Sequence, residues 1–157
     1  MKIQLIVIGR TTDGRLQSLI DDYVSRLTHY IPFQMEVIPD LRQTKSLTPQ
    51  QQKEREGQLL LERLAEGDWL VLFDENGREM GSVAFSQYLE KRQASGARRL
   101  VLAVGGPYGF SPAVYAAAKE KLSLSQMTFS HQMVRLFCVE QIYRAMTIQR
   151  GEPYHHA

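Results

Sequence analysis

The sequence predicts an α/β domain built on a mostly parallel sheet flanked by helices. Three observations predict it: short apolar runs rich in β-branched residues, amphipathic stretches that alternate with them, and Gly, Pro or Asp between the two. Strands that alternate with helices at this spacing are typical of βαβ units, whose strands run parallel. With 157 residues and no segment that resembles a linker, residues 1–157 are expected to form a single domain.

The first elements follow from periodicity. Residues 3–8 are expected to form a strand that closes at Gly9, and residues 33–38 a second strand between two prolines. The helix between them is predicted by apolar residues spaced i, i+3, i+4, i+7, i+8 and i+11. These residues are Leu16, Leu19, Ile20, Tyr23, Val24 and Leu27. Residues 40–48 are polar and are expected to form a mobile loop.

The second helix has a recognisable start. Thr48 is expected to be its N-cap, Pro49 its first residue and Gln51 the partner that completes a capping box. The helix is expected to run to about Ala65, because Gly67 then stops it.

Two continuous apolar runs, residues 69–73 and 100–104, predict strands buried on both faces. Between them, Ser82 is expected to cap a helix. After them, Ser111 and Pro112 repeat the cap-plus-proline start for an alanine-rich helix.

That alanine-rich helix is predicted to run to about Leu122, and a short last strand is predicted at residues 127–129. A final helix is predicted over residues 132–149 and is apolar nearly all round, so more than one of its faces must be covered. A second copy of the chain would supply a cover, which favours a homodimer. The alternative is that this helix is central to its own domain.

Composition excludes several classes of protein. Hydrophobic residues make up 43% and charged residues 23%, no apolar run approaches the roughly 20 residues of a membrane span, and the start lacks a signal-peptide cleavage region. The single cysteine, Cys138, cannot form an internal disulfide, which fits a reducing compartment. We therefore expect a cytoplasmic protein with no membrane partner. The formal net charge of +2 permits an RNA partner without arguing for one.

The chain carries none of the common catalytic signatures. Walker A, G-x-S-x-G, G-x-G-x-x-G and H-E-x-x-H motifs are absent. Cys138 lies inside the apolar final helix and is expected to be an inert buried thiol. Two adjacent histidines, His155 and His156, do not make a metal-ligand set, so no metal is expected.

Ligands of open parallel sheets bind beyond the carboxyl ends of the strands. The segments to inspect are therefore residues 74–81, 105–109 and 124–131. The glycines of residues 105–109 fit either a binding loop or a tight strand-to-helix turn.

Four segments carry a resemblance to a known family. They are MKIQLIVIG at the start, Phe73-Asp74 followed by Gly77, GGPYGFS at 105–111 and LSLSQMTFSHQMVRLFCVEQIYRAMTIQRGEPYHH at 122–156. Over essentially its whole length the chain resembles the ribosomal RNA large subunit methyltransferase H family, the smallest SPOUT-class methyltransferases. The resemblance implies a C-terminal trefoil knot, a homodimer, and methyl transfer from S-adenosylmethionine (SAM) to N3 of a pseudouridine in 23S rRNA on assembled 70S ribosomes.

The resemblance also implies site residues. The cofactor pocket is expected to be lined by Phe73, Gly105, Gly106, Leu124, Ser125, Gln126, Met127, Thr128 and Phe129. Position 73 departs from the family's more familiar leucine, which puts the shape of the pocket in question.

On the substrate side, the resemblance implies catalytic roles for His131, Arg144, Tyr154 and His155, and substrate binding by Arg135. The two arginines would meet phosphates or stabilise a deprotonated imide, Tyr154 would stack on or bond to the base, and His155 would accept or relay a proton. Glu140 would orient Arg144 at i+4. For each of these residues, surface charge or helix support is the alternative.

Two other interpretations stay open at this point. One is a ribosome-binding module that keeps the fold without transferring a methyl group, and cofactor binding without turnover would support it. The other is a flavodoxin-like nucleotide-binding domain, which would prefer a flavin or nucleotide to SAM.

Overall fold

The structure is a computed structural model that describes residues 1–156. Its strands are β1 (Lys2–Ile8), β2 (Phe33–Ile38), β3 (Asp68–Glu79), β4 (Arg99–Val104) and β5 (Glu120–Ser123). Its α-helices are α1 (Gly14–Leu27), α2 (Pro49–Leu61), α3 (Ser82–Ala94), α4 (Pro112–Ala117) and α5 (Met133–Gln149), and a short 3-10 turn covers Thr44–Ser46. The strands form one five-stranded sheet in the order β2-β1-β4-β3-β5, with every pair parallel. The predicted fold class is confirmed.

Helices cover both faces of this sheet. On one face, Leu5, Leu100 and Leu102 pack with residues of α1, α3 and α5 in one buried cluster. On the other face, Ile6 and Val101 pack with residues of α2 and α4 in a second cluster. Because successive residues of a strand point to opposite faces, a sheet covered twice needs continuous apolar strands. This explains the two apolar runs seen in the sequence.

The helix starts agree with the sequence better than the helix ends. The capping box between Thr48 and Gln51 is present, but α2 ends at Leu61 rather than near Ala65. The N-cap of α3 is Gly81, and Ser82 is instead the first helical residue, with its Oγ donating to Gln141 Oε1 of α5 at 2.8 Å. That contact between α3 and α5 replaces the predicted cap.

The largest error of the sequence-based assignment lies between α4 and α5. The alanine-rich helix ends at Ala117 rather than near Leu122, and residues 120–123 form β5. The strand predicted at residues 127–129 is absent, and this segment connects β5 to α5 without regular structure. The physical reason is tertiary: β5 pairs with β3 and buries Leu122 and Ser123, which outweighs local helix propensity.

The outer part of β3 makes an excursion at the site edge of the sheet. Phe73 and Arg78 both pair with Leu122 of β5, so residues 74–77 leave the ladder and return to it. A Cβ on Gly77 would lie 2.6 Å from the carbonyl carbon of Leu122, so only glycine allows this close approach. The trefoil knot stays a prediction from the resemblance.

Most of α5 is covered by its own domain. Cys138, Val139, Ile142 and Ala145 have no exposed surface, and α5 packs against α1 and α3. Burial raises the pKa of the Cys138 thiol, which agrees with an inert structural role. The centrality of the helix therefore accounts for most of its apolar residues. Met133 and Phe137 are the exceptions, at 41% and 37% exposed.

Within residues 1–156, no helix is long and apolar enough to cross a membrane. The same residues contain no group of three or more His, Cys, Asp and Glu side chains that could hold a metal ion.

An ion pair at the amino-terminal ends of β3 and β4 gives a test of the fold. Arg99 Nε donates to Asp68 Oδ1 at 3.0 Å, and the Asp68 side chain is only 5% exposed. Burial opposes ionisation of Asp68, but hydrogen bonds from Arg99 and from the Ala65 N–H (2.7 Å) outweigh it, so the pKa of Asp68 lies below 3.8. Asp68 therefore stabilises the folded protein above that value, and this contribution decreases as the pH falls through the lower folded pKa.

We expect Asp68→Asn to reduce the free energy of unfolding by about 1.5–3 kcal/mol at neutral pH, the range for hydrogen bonds to charged groups. The difference from the unsubstituted protein should shrink as the pH falls below 3.8, measured by urea unfolding across that range. Asp21→Asn, an exposed position in α1, serves as the control. A difference that does not change with pH would contradict the role of the Asp68 carboxylate.

Candidate functional site

A cleft of about 580 Å³ lies at the carboxyl ends of β4 and β5, beside the excursion of β3. Its walls come from three segments, residues 73–76, 104–110 and 123–134. These overlap the three strand tips that the sequence singled out, because the carboxyl ends of parallel strands meet at one edge. The volume lies within the range of about 300–1,000 Å³ that is usual for small-molecule sites.

The glycine-rich loop after β4 is both a tight turn and a wall of the cleft. The Gly109 N–H donates to the Gly106 carbonyl oxygen at 3.1 Å, and Gly109 has a φ of +81°, which favours glycine. A Cβ on Gly106 would lie 2.6 Å from Oε1 of Glu56 in α2, so a side chain there would displace the loop or Glu56. The segment is therefore a tight turn that also lines the cleft, and its role in binding stays a prediction.

The segment between β5 and α5 is held by serine hydroxyls. Ser123 Oγ donates to the Ser125 carbonyl oxygen at 2.9 Å, and Ser125 Oγ accepts from the Met127 N–H at 3.0 Å. Throughout residues 1–156, no protein oxygen accepts from the N–H groups of Thr128 and Phe129. These two backbone donors of the cleft lining are therefore available to solvent or to a ligand.

The cleft suits an adenosyl ligand that carries a positive charge. Phe73, Leu124 and Phe129 supply an apolar wall, and the unused N–H groups lie beside it, which is the arrangement that a purine ring and its polar edge require. The carboxylates of Asp74 and Glu75 also line the cleft and favour a cationic ligand. The residues of this chain therefore fit SAM.

Of the nine residues expected to hold the cofactor, eight line the cleft: Phe73, Gly105, Gly106, Leu124, Ser125, Met127, Thr128 and Phe129. Gln126 is exposed and does not contribute to the lining. His131, expected on the substrate side, also lines the cleft.

The sequence did not reveal Tyr115 as part of the site. Its hydroxyl donates to the Asp74 carboxylate across the cleft wall. Burial, together with this carboxylate, raises the pKa of Tyr115 to about 12, so the phenol stays neutral. No sequence signal marks Tyr115, because it lies on a helix whose apolar residues belong to the core.

Arg144, Tyr154 and His155 lie in a second group, which we name the tail cluster together with Glu140. Glu140 Oε1 accepts from Arg144 Nη2 at 2.6 Å, from Arg144 Nε at 3.1 Å and from the Tyr154 hydroxyl at 2.9 Å. The fourth contact joins Arg144 Nη1 to His155 Nδ1 at 3.1 Å. The structure therefore brings these three predicted residues together.

The tail, which we define as residues 150–156, packs against α1 and against Tyr30, which follows α1. The hydroxyls of Tyr23 and Tyr154 lie 3.0 Å apart, and the Tyr30 hydroxyl donates to Glu152 Oε2 at 2.5 Å. The Tyr143 and Tyr154 rings meet edge to face with centroids 4.8 Å apart. Burial, together with hydrogen bonds to Tyr23 and Glu140, raises the pKa of Tyr154, so its phenol is neutral at physiological pH.

The cleft and the tail cluster are separate within one chain. Val134 of α5 lines the cleft, whereas Arg144 lies ten residues further along the same helix. At a rise of about 1.5 Å per residue, the two positions are about 15 Å apart along the helix axis. His131, which lines the cleft, is therefore distant from Arg144, Tyr154 and His155 in the same chain.

Arg135 is buried between the tip of β1 and the start of α5, with 1% of its surface exposed. Its Nη1 and Nη2 donate to the carbonyl oxygens of Gly9 and Ile8 at 2.7 and 3.0 Å, and its Nε donates to the His131 carbonyl oxygen at 3.1 Å. Burial lowers the pKa of this guanidinium from 12.5, and the Asp40 carboxylate acts in the opposite direction. All of its nitrogens are engaged with the protein, so the geometry gives Arg135 a role in holding the cleft wall.

Residues 1–155 match the model of a family described as predicted SPOUT methyltransferase. The chain is 62% identical over 156 residues to a Parabacteroides distasonis protein named ribosomal RNA large subunit methyltransferase H, with 99% of each chain covered. Proteins of the same name from Bacteroides fragilis and Flavobacterium johnsoniae are 58% and 56% identical, also over 99% of each chain. The fold, the cleft and this full-length similarity show that the chain belongs to the SPOUT methyltransferase family.

Proposed function

We propose that this protein transfers a methyl group from SAM to N3 of a pseudouridine in 23S rRNA, as a homodimer that acts on assembled 70S ribosomes in the cytoplasm. The observation that carries the proposal is the cleft at the strand tips, whose apolar wall, unused backbone donors and carboxylates fit SAM, in a chain of this family. The names of its relatives supply the class of substrate.

Different residues of the cleft would contact different parts of the cofactor. Leu124 and Phe129 would contact the adenine ring, and the Gly105-Gly106 loop would leave room for the ribose and methionine parts. When bound, SAM supplies a methyl group that its sulfonium already activates, so the transfer needs neither a nucleophilic side chain nor a metal. The protein must align the base and manage one proton at N3.

The tail cluster offers groups suited to a base that loses a proton. The Arg144 guanidinium is permanently charged and would stabilise negative charge on the imide. Tyr154, neutral and held by Glu140, would stack on the base. These residues lie about 15 Å from the cleft along α5, which supports completion of each cleft by the tail of a second copy of the chain.

Exposed apolar side chains near the cleft support the same homodimer. Met127, Phe129, Met133 and Phe137 are 77%, 36%, 41% and 37% exposed. Phe129 and Phe137 contact each other, with ring centroids 5.1 Å apart, so the four side chains flank the start of α5 beside the cleft. A second subunit seated there would bring its own tail towards this cleft.

Recognition of the RNA would depend on shape more than on charge. With 19 basic and 17 acidic residues, the chain has a formal net charge of +2, and counterion release can supply little affinity for free RNA. An assembled ribosome offers a fixed surface that a dimer can contact at two places. This supports the 70S particle as the substrate.

The experiment is methyl transfer from labelled SAM to three substrates: 70S ribosomes lacking the modification, separated subunits and free rRNA. Label in 23S rRNA from the 70S sample alone is the expected result. Label on free rRNA as well would keep the activity and remove the requirement for an assembled particle. No label, with SAM binding intact, would favour the ribosome-binding module without activity, and preference for a flavin would favour the flavodoxin-like alternative.

Gly106→Ala tests the cleft. The added Cβ would lie 2.6 Å from Glu56 Oε1, so the loop or the buried Glu56 side chain must shift. We expect SAM affinity to fall by about tenfold, measured by calorimetric titration. Adding Glu56→Ala removes the obstruction and should restore most of the affinity. Gly14→Ala, where a Cβ meets nothing within 4 Å, is the matched control. Equal affinity of the single variant and the unsubstituted protein would show that this loop does not shape the binding site.

A further inference from the structure

The contact between Arg144 and His155 fixes which imidazole nitrogen carries the proton. Arg144 Nη1 lies 3.1 Å from His155 Nδ1. A guanidinium has only donors and is not deprotonated in proteins, so Nδ1 must accept. A neutral imidazole whose Nδ1 accepts carries its hydrogen on Nε2.

Glu140 holds the guanidinium in the orientation that makes this contact. It accepts from Nη2 and Nε of Arg144, which leaves Nη1 for His155. The Arg144 and Glu140 side chains are only 25% and 16% exposed, and the guanidinium carbon lies 4.8 Å from the Tyr154 ring centroid. Because Nε and Nη2 both donate to Oε1 of Glu140, this one oxygen restrains the orientation of the guanidinium, and Glu140 thereby sets the tautomer of His155 through Arg144.

The neighbouring phenol is also occupied as a donor. The Tyr154 hydroxyl donates to Glu140 Oε1 at 2.9 Å and can accept from the Tyr23 hydroxyl at 3.0 Å. Neither Tyr154 nor His155 is therefore arranged to take a proton from a substrate. Both are arranged to present or hold a hydrogen.

We propose that His155 acts on the pseudouridine as a hydrogen-bond donor through Nε2–H, that Glu140 is the positioning residue that sets this tautomer, and that the N3 proton leaves to water. This inference rests on the proposed function. The N3–H bond would break, its proton would go to a water molecule, and its electron pair would stay on N3 and form the bond to the methyl group. The methyl–sulfur bond of SAM would break at the same time, and its electron pair would leave with the sulfur as a neutral thioether. The charge spreads to the flanking carbonyl oxygens, where Nε2–H and the Arg144 guanidinium stabilise it.

The first test reads the tautomer directly, in the protein alone and without SAM or RNA. The protein labelled with ¹⁵N in its four histidines is examined by long-range ¹H–¹⁵N NMR, and the His155 signals are assigned by their loss in His155→Gln. We expect His155 to be the Nε2–H form, and Glu140→Gln to convert it to a mixture of tautomers. The exposed neighbour His156 should show no change in Glu140→Gln. An Nδ1–H form of His155 in the unsubstituted protein overturns the proposal.

The second test asks whether donation by His155 matters for methyl transfer to 70S ribosomes. A glutamine amide nitrogen can take the place of Nε2–H but cannot act as a base at neutral pH. We expect His155→Gln to keep activity within about tenfold of the unsubstituted protein, and His155→Ala to lose about 100-fold, as for removal of one transition-state donor. His156→Gln is the matched control, with unchanged activity.

The outcomes separate the inference from the proposed function. If His155→Gln is folded by its NMR spectrum and is as inactive as His155→Ala, donation by Nε2–H is wrong. If the unsubstituted protein transfers no methyl group to any rRNA substrate, the proposed function fails, whereas the tautomer and its dependence on Glu140 are still decided by the NMR measurement.

Discussion

Two variants that are each inactive should regain about a quarter of normal activity when their subunits are mixed. One variant is Arg144→Ala, which lacks the tail cation, and the other is Gly106→Val, whose branched side chain meets Glu56 and closes the cofactor loop. In the proposed homodimer, random pairing would place about half of the molecules in mixed dimers. Each mixed dimer would have one of its two sites intact if cleft and tail come from different subunits. Methyl transfer to 70S ribosomes measures the recovery.

The same experiment decides whether the tail acts within its own subunit. If each cleft used its own tail, every subunit in a mixed dimer would carry one defect, and no activity would return. The separation of about 15 Å between Val134 and Arg144 along α5 leads us to expect recovery. A mixture of Arg144→Ala with Glu140→Ala, two tail variants, is the control and should stay inactive, because no tail is complete.

The cleft could be predicted from the sequence because its position follows from topology. Once residues 69–73 and 100–104 were interpreted as parallel strands, their carboxyl ends had to meet, and the residues after them had to share one edge. The resemblance to the family then supplied the nine expected cofactor residues, and eight of them line the cleft. Gln126 does not line the cleft, because residues 124–132 form no strand or helix and the Gln126 side chain is exposed.

The residues of the tail cluster could be named from the sequence, but their arrangement in space could not be predicted from it. The pair Tyr23 and Tyr154 is separated by 131 positions, and only the packing of α5 on α1 brings the two hydroxyls to 3.0 Å. The error at β5 has the same origin. Lys119 to Leu122 carry helix-forming side chains, but hydrogen bonds to β3 decide their conformation.

Replacing Arg135 with methionine should have a large effect on stability. The substitution leaves the carbonyl oxygens of Ile8, Gly9 and His131 without their donor in the interior, so we expect the free energy of unfolding to fall by about 3–5 kcal/mol. Arg150→Met removes the same charge from an exposed side chain, whose guanidinium lies over the Tyr30 ring. It should lower the free energy of unfolding by about 1 kcal/mol or less. Urea unfolding of both variants measures the difference.

This comparison also separates the two roles open to Arg135. If Arg135 contacts rRNA phosphates, its replacement would leave the free energy of unfolding unchanged. The number of counterions released on binding to ribosomes, measured from the salt dependence of the affinity, would fall by about one. A side chain that ties the tip of β1 to the start of α5 would instead lower stability and weaken SAM binding together, because His131 and Val134 of the cleft wall follow its position. Because every guanidinium nitrogen donates to protein oxygens, we expect the second outcome.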